Sequence, residues 1–256
     1  MAGHNFINKK TAPYIFISPF YILFTVFMFY PVIYSFYLSF HEWNGLGEKT
    51  SVGWLNYLDA CRDTVFLQSL LNAVILFFEY VPLMTLLALI LAAILNKGVI
   101  RFCSFFRGAI FIPYVTSMVA VAFTFQLMLD KDYGIFNLIL SWLRLPPIPW
   151  LQSVFWARIS VCLLVVWKWL GYNMILMLAG LQMIPEELYE AARIDGANTV
   201  QSFFQITVPM MRPVILFAVT LSTIGTFGLF AEPLVLTNGG APVNSTITPV
   251  VHLYNT

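Results

Sequence analysis

The stretch EELYEAARIDGA, residues 186–197, is a polar interruption in a chain of 256 residues that is 60% hydrophobic and only 10% charged. Pro185 before it, acidic residues in its first turn and Gly196 near its end predict a short helix over residues 186–195 that stops in a turn. We expect a second short helix to begin near Thr199. It should end by Pro209, because proline lacks the backbone donor that a helix needs.

Long apolar runs lie on both sides of this stretch. Each is long enough to cross the hydrocarbon core of a membrane, and they cover residues 14–40, 70–95, 108–129, 154–181 and 213–236. The first run is too long for the apolar part of a signal peptide and lacks a small-residue cleavage site. The predicted fold is therefore an all-α membrane protein, a polytopic helical bundle that forms a single transmembrane domain over residues 1–256.

Basic residues set the expected orientation of the bundle. Positively charged segments close to span ends are retained in the cytoplasm. Seven basic residues fall on the side of the N-terminus and four on the other side: Lys9, Lys10, Lys97, Arg101, Arg107, Arg193 and Arg212 against Lys49, Arg62, Lys131 and Arg144. This places the N-terminus and the loop of residues 182–212 in the cytoplasm. The segment after Thr237 is too polar and too rich in proline to cross the membrane again.

Several functional classes are disfavoured by composition and motifs. A net charge of +1 without a basic cluster argues against nucleic acid as a partner. Cys61, Cys103 and Cys162 are too far apart in sequence for a metal cluster, so we expect no metal site. All three histidines lie outside the apolar runs and no HExxH or GxSxG motif occurs, so we expect no catalytic residues. The phosphate-binding pattern GxxxxGK[ST] is also missing, so ATP is not expected to bind this chain.

The polar stretch has two interpretations on physical grounds. Ala191, Ala192 and Gly196 remove side-chain bulk, and four acidic residues against Arg193 leave a local charge of −3, which together suit a docking element for a partner. A solvated loop with ordinary alanine helix propensity explains the same residues. The physical argument leaves both interpretations open.

A resemblance to a known family rests on the residues of this loop. Glu190-Ala191-Ala192, then Gly196, then Ile206-Thr207-Val208-Pro209 resembles the EAA…G…I.LP loop of permease subunits from binding-protein-dependent ABC importers, with Val208 where leucine is usual. SVGWLNYLDACRDTVFLQSLLNA, WKWLGYNMILMLAGLQMIP and LFAEPLVLTNGGAP are similar to segments of the carbohydrate-type permeases, which move sugars and glycerol phosphates. The resemblance covers residues 14–254. The family's last transmembrane helix has no counterpart before residue 256, so we expect a truncated chain.

The resemblance implies a transport subunit of the cell membrane whose energy comes from ATP hydrolysis on a partner chain. The loop over residues 182–212 would be a cytoplasmic coupling loop, seated on an ABC ATPase subunit that holds ATP and Mg²⁺. A second permease subunit, an extracytoplasmic solute-binding protein facing TNGGAP, membrane lipid and a small carbohydrate substrate would be the other partners. The coupling residues implied are Glu186, Glu187, Glu190, Ala191, Ala192, Asp195, Gly196, Ile206 and Pro209.

Polar residues inside membrane spans are costly and therefore suggest function. Glu79, Lys168 and Glu232 stand out among the ionisable ones. Each has a structural explanation too: Lys168 could stack on a neighbouring tryptophan or pair with Glu79, and Glu232 could reach the outer interface. A sugar needs hydrogen bonds and flat apolar surfaces around a wet cavity. In maltose-type relatives the two helices around residues 167–173 and 221–233 line the pocket. The resemblance and these polar residues together predict a substrate pathway of Trp167, Lys168, Leu170, Gly171, Asn173, Ser222, Thr226, Leu229 and Glu232.

Three features of this predicted pathway leave alternatives open. Asparagine is expected in the family where Thr226 and Leu229 stand, and leucine offers no hydrogen bond. Gly225 and Gly228 equally suit close packing of membrane helices. Glu79 and Lys168 are also the residues through which a secondary transporter would couple an ion, but inverted repeats are not seen and the loop motif would stay unexplained.

Overall fold

The computed structural model describes residues 10–96 and 102–256, and the regular elements within them are helices apart from one short hairpin. Lys9, Lys97 and Arg101, which were used to predict the orientation, lie outside the described residues. The chain divides into two compact units, residues 1–64 and residues 65–256. Each unit is described by itself.

The first unit is an apolar helical segment followed by a hairpin and a short helix. Its elements are α1 (Ala12–Phe24), a π-helical turn (Thr25–Phe29), α2 (Tyr30–Leu38), β1 (His41–Glu42), β2 (Thr50–Ser51) and α3 (Leu55–Arg62). Residues 12–38 expose nearly all of their apolar side chains, and by length and composition they suffice for one membrane span. The two strands are antiparallel, with His41 opposite Ser51.

Lys49 fastens the hairpin to the end of α2. Its ammonium nitrogen lies 4.8 Å from the ring centroids of Tyr34 and Trp43 and 5.7 Å from that of Tyr37. Its hydrogen bond to the Tyr34 hydroxyl raises the pKa of Lys49 above the usual lysine value. A cation among aromatic rings suits a segment beside a membrane surface.

The second unit is a helical bundle built around two long helices. Its elements are α4 (Thr64–Asn96), α5 (Cys103–Val115), α6 (Met118–Met128), α7 (Ile135–Trp142), α8 (Val154–Gln182), α9 (Glu186–Ile194), α10 (Thr199–Ser202), a π-helical turn (Phe203–Thr207), α11 (Val208–Met210), α12 (Arg212–Phe227), α13 (Ala231–Leu236) and α14 (Pro249–Asn255). The described chain has three helical segments that can span a membrane, residues 12–38, α4 and α8, and up to five if each of two bent pairs is one span.

Two runs that the sequence predicts as continuous helices are divided in the structure. The run over residues 108–129 is α5 and α6, which meet at an angle of 95°. Pro113 weakens the last turn of α5, and the extended backbone of Thr116 and Ser117 ends it. The run over residues 213–236 is α12 and α13, separated after Gly228. The prediction of one unbroken helix in each run is corrected accordingly.

Helix continues through Pro209, where the sequence predicts an end. A π-helical turn lies directly before both Pro209 and Pro31, ending two residues ahead of each proline. The wider turn carries hydrogen bonds five residues back, such as Val208 N–H to the Phe203 carbonyl. The missing proline donor and the crowding by its ring are thereby accommodated, so the helix need not stop.

The core lies along α4 and α8. Leu76, Met84, Val161 and Val165 form part of one cluster of buried side chains, with α6 and α13 packed around it. A second cluster nearer the polar stretch includes Met174, Met177 and Met211. Between the clusters α8 passes very close to α5. The approach at Gly171 is so close that a Cβ atom there would collide with the Ile110 carbonyl oxygen.

Candidate functional site

The polar stretch folds into a braced helical turn. The Tyr189 hydroxyl of α9 lies 2.8 Å from the Thr207 hydroxyl in the π-helical turn, so the two halves of the segment are tied together. Asn198 and Gln201 form a capping box, in which each side chain bonds the other residue's backbone N–H at 2.9 and 2.8 Å. These bonds satisfy donors that would otherwise lack partners at the start of α10.

The predicted coupling residues mostly lie on the outside of this turn. Glu186, Glu187, Glu190, Ala191, Asp195 and Gly196 are exposed, whereas Ala192, Ile206 and Pro209 are half-buried. Ile194 is 87% exposed, and Val200 and Phe204 are also exposed beside the acids. Acidic and apolar side chains therefore share one surface, as at the interfaces of proteins that bind a partner.

Gly196 has the left-handed backbone that the sequence predicts, with φ of +82°. No described atom lies within 4 Å of a Cβ atom built at this position. The need for glycine therefore comes from the backbone conformation and not from crowding inside the chain.

Sequence reasoning missed the bracing of this segment. The pattern of asparagine followed three residues later by glutamine, Asn198 and Gln201, resembles a capping signature and was available as a signal. The bond between Tyr189 and Thr207 has no such signal, because it depends on how the two halves fold against each other.

Lys168 lies at the break between α5 and α6. It is only 6% exposed, and its ammonium donates to the carbonyl oxygens of Thr116 at 2.6 Å, Pro113 at 3.3 Å and Tyr114 at 3.4 Å. The stacking and the pairing with Glu79 that the sequence suggests are replaced by these bonds. Glu79 instead accepts a hydrogen bond of 3.5 Å from the Cys162 thiol.

Other predicted pathway residues use their polar groups inside the bundle. Thr226 is fully buried, and its hydroxyl lies 2.6 Å from that of Tyr80 in α4. Asn173 donates to the Trp169 carbonyl oxygen at 3.1 Å and contacts the Met84 sulfur at 3.7 Å. In this conformation these groups bind the chain's own atoms.

The other predicted pathway residues have different surroundings: some line an apolar cavity, and the others are packed within the bundle or half-buried. Trp167 and Leu170 line a cavity with Phe125, Phe136 and other apolar side chains of α6, α7 and α8. Its one hydroxyl residue, Thr124, donates to its own helix at 2.9 Å. The structure thus does not gather the nine predicted residues around one polar cavity. Gly171 is a packing contact, Leu229 and Glu232 are buried, and Ser222 is half-buried.

A polar clamp at the start of α4 and α8 holds the segment after α13, and the sequence analysis missed it. Arg158 donates to the Ser245 carbonyl oxygen and to the Asn72 side chain, both at 3.0 Å. Asn72 in turn donates to the carbonyl oxygens of Asn244 at 2.8 Å and Ile247 at 3.0 Å. The segment after Thr237, which the sequence marks only as too polar to cross the membrane, is therefore held in place by side chains of α4 and α8.

Residues 62–255 match the family described as "Binding-protein-dependent transport system inner membrane component". The lactose transport system permease protein LacF of Rhizobium radiobacter is 43% identical over 94% of this chain and 82% of its own length. The arabinooligosaccharides permease AraP of Bacillus subtilis is 38% identical over 97% and 79%. The trehalose/maltose permease MalF of Thermococcus litoralis is 37% identical over 89% and 77%.

A solved structure shows the same fold. The crystal structure of a bacterial ABC transporter involved in the import of the acidic polysaccharide alginate includes a chain that matches with a TM-score of 0.70 at 21% identity, over 96% of this chain and 91% of the other. The helical membrane fold predicted from the sequence is confirmed by this match.

The family assignment settles several predictions made from the sequence. A permease subunit of this family is an inner-membrane, multi-pass protein that is not itself catalytic, and ATP is hydrolysed on a partner ATPase. The prediction of an ABC permease is confirmed by the family match over most of the chain. The chain belongs to the family of binding-protein-dependent transport system inner membrane components, the permease subunits of ABC importers.

Proposed function

We propose that this chain moves a sugar or sugar-containing solute into the cytoplasm by alternating access. The support is the kind of transport system named for its relatives, which handle lactose, arabinooligosaccharides, and trehalose or maltose. The relatives differ in the sugar, so the shared chemistry is a hydroxyl-rich ring compound and not one particular sugar.

The observation that carries the coupling role is the braced, exposed surface of α9 to α11. A surface that transmits force must be rigid, and the Tyr189–Thr207 bond and the capping box supply that rigidity. Its acids and exposed Ile194 are suited to a groove that offers basic and apolar contacts. We assign this contact to the ATPase and place Glu190, Ala191, Ala192 and Gly196 at its centre.

The substrate pathway is proposed to lie along α8 and α12, shared with a second permease chain. Thr226 and Asn173 are bonded within the bundle here, so they become available to a sugar only after α4, α8 and α12 shift. Ser222 is half-buried on the same helix as Thr226. This arrangement fits a closed state of an alternating-access cycle.

The segment held by Arg158 and Asn72 is proposed to face the solute-binding protein. Val243 is 83% exposed on a segment whose neighbouring carbonyl oxygens are held by Asn72, Arg158 and Gln68. One solved transporter with this fold is described as in complex with an alginate pentasaccharide-bound periplasmic protein. This proposal puts the clamp on the outer side and the N-terminus in the cytoplasm.

Co-purification tests the coupling surface. We would tag this chain, solubilise native membranes gently and identify the proteins that remain bound. An ATPase with a GxxxxGK[ST] motif and a second permease chain are expected with the wild type. Gly196→Asp should lose the ATPase, because a side chain strains the left-handed turn and adds a further negative charge.

A matched pair of variants separates the surface from general damage. Ile194→Glu changes an exposed apolar residue of α9, and Leu253→Glu makes the same change at a 75% exposed residue of α14. Only Ile194→Glu should lose the ATPase. Equal retention of the ATPase in both variants would contradict the coupling role of this surface.

Uptake of labelled lactose, arabinotriose, maltose and trehalose, measured in cells that express the complete transporter, tests the substrate class. At least one of these sugars should accumulate in an ATP-dependent manner. Accumulation of none of them, with the transporter assembled, would count against the sugar assignment.

A further inference from the structure

We propose that Lys168 is a positioning residue that fixes the angle between the two half-helices α5 and α6. The inference rests on the proposed transport cycle for its functional meaning, but its geometry does not depend on which solute is moved. Lys168 then controls the arrangement of α5 and α6 and does not itself contact the solute.

The chemistry of the break makes a cation valuable there. The last carbonyl groups of a helix have no partner inside the helix, and they form the negative end of its dipole. Inside a membrane no bulk water is present to satisfy them. Lys168 reaches from α8 with three donors and meets the carbonyl oxygens of Tyr114 and Thr116 and that of Pro113, which also accepts from the Thr116 hydroxyl.

The partners of Lys168 lie on both sides of the point where α5 ends. Pro113 and Tyr114 belong to the last turn of α5, whereas Thr116 is the extended residue that follows it, with ψ of 154°. One ammonium group therefore fastens the end of α5 and the start of the connection to α6. These bonds hold the Thr116 carbonyl oxygen against the last turn of α5, and so they resist changes in the 95° angle that arise before Ser117.

Glu232 is the carboxylate that attracts Lys168 electrostatically from outside its carbonyl partners. Glu232 is 7% exposed and lies in α13, which packs against α6. The negative charge that attracts Lys168 thus comes from α13, the helix that packs against α6.

Lys168 lies between two pairs of packed helices in the second unit, α5 with α8 and α6 with α13. α5 packs against α8, with Gly171 one turn further along α8 from Lys168, and α6 packs against α13. The angle between α5 and α6 therefore sets where the α6–α13 pair stands relative to α8. A residue that fixes this angle selects one arrangement of a bundle that has to change shape during transport.

Spin labels on the two half-helices test the proposal without any solute. Phe105 near the start of α5 and Leu127 near the end of α6 are 71% and 75% exposed, so labels there disturb little packing. The transporter is purified with its ATPase, from a variant in which Cys61, Cys103 and Cys162 are replaced. One narrow distance distribution is expected with Lys168 present.

Substitutions at Lys168 distinguish the effect of its charge and hydrogen-bond donors from the effect of its side-chain volume. Lys168→Met keeps the length and loses the donors, so the distance distribution should broaden by about twofold or more because the end of α5 is released. Lys168→Arg should keep it narrow, since arginine offers donors at similar reach. If Lys168→Met does not assemble, Lys168→Gln takes its place and should broaden the distribution, because its amide is too short. A distribution as narrow as the wild type's in the neutral variant would overturn the proposal.

A charge exchange distinguishes helix capping from a simple ion pair. Lys168→Glu combined with Glu232→Lys preserves an opposite-charge pair, but it aims a carboxylate at three carbonyl oxygens. The distribution should stay broad in this double variant. Recovery of the narrow distribution would show that pairing alone matters and would overturn the positioning role. Because no sugar is present, neither result depends on the outcome of the uptake assay.

Discussion

Among single residues, Tyr80 and Thr226 form a buried link between α4 and α12 whose hydrogen atoms can be assigned. The Thr226 hydroxyl donates to the Ser222 carbonyl oxygen at 2.7 Å, so its one proton is used. The Tyr80 hydroxyl must therefore be the donor across the 2.6 Å contact. Removing the acceptor leaves a buried phenolic donor without a partner.

Thr226→Val keeps the shape of the side chain and removes that acceptor. We expect the free energy of unfolding to fall by about 1–3 kcal/mol, the cost of leaving a buried donor unsatisfied. Thermal unfolding of the purified transporter measures it. Thr223→Val is the matched control, because the Thr223 hydroxyl bonds only within its own helix. Tyr80→Phe combined with Thr226→Val should regain part of this loss, because the unsatisfied donor is then gone.

The chemistry of the site residues was predictable, but their partners were not. The sequence identifies Glu190, Ala191 and Gly196 because their spacing is local, and the structure indeed exposes them on one turn. It also marks Lys168 as costly inside a span, yet its partners in α5 are about fifty residues away and carry no side-chain signal, being backbone carbonyls. Long-range bonds to the backbone are invisible to a sequence pattern.

Among the elements, the close approach of α5 and α8 depends on one glycine. Any side chain at Gly171 meets the Ile110 carbonyl oxygen, and a helix backbone cannot move aside as a flexible side chain does. The two helices would have to separate, which also draws the end of α5 away from Lys168.

Gly171→Ala is therefore expected to lower the free energy of unfolding by about 1–3 kcal/mol through overpacking. Gly108→Ala is the control in α5, since no described atom lies within 4 Å of a Cβ atom there. The two variants are compared by the melting temperature of the assembled transporter. Equal melting temperatures would show that α5 and α8 are not held as close as the structure has them.

Arg158 links α8 to the Ser245 carbonyl oxygen after α13 through one donor and to the Asn72 side chain of α4 through a second, differently directed donor. Arg158→Lys offers a single ammonium and cannot reproduce both bonds at once, and Arg158→Met offers none. We expect limited proteolysis within residues 237–248 to accelerate by about tenfold in Arg158→Met and less in Arg158→Lys, because the segment opens locally. Cleavage as slow as in the wild type would mean that Asn72 and Gln68 hold the segment without Arg158.

The sequence located the long helices better than it located their breaks. Apolar length alone marks α4 and α8, because a span needs about twenty apolar residues whatever surrounds it. The break at Thr116 is not encoded by polarity, since the residues around it are almost as apolar as the rest. The π-helical turns before Pro31 and Pro209 likewise follow from relaxation around proline, which a rule that proline ends a helix does not foresee.

For the whole molecule, α8 connects the two surfaces that are proposed to meet partners. Its 29 residues span about 43 Å at 1.5 Å per residue. Arg158 lies near its first turn, Lys168 near its middle, and its last turn leads into α9. A shift of the coupling surface therefore has a continuous path to the clamp, through the point where Lys168 holds α5 and α6.

This arrangement requires the two ends of α8 to lie on opposite sides of the membrane, which cysteine labelling can test. Cys61 is exposed in α3, on the side that the proposed orientation places outside, whereas a cysteine introduced by Met183→Cys, at the 81% exposed residue that closes α8, would lie in the cytoplasm. A membrane-impermeant maleimide added to right-side-out vesicles should label Cys61 and spare residue 183. Detergent should then allow both to react, which shows that protection comes from the bilayer and not from folding. Labelling of residue 183 in intact vesicles would reverse the orientation and remove the coupling surface from the reach of a cytoplasmic ATPase.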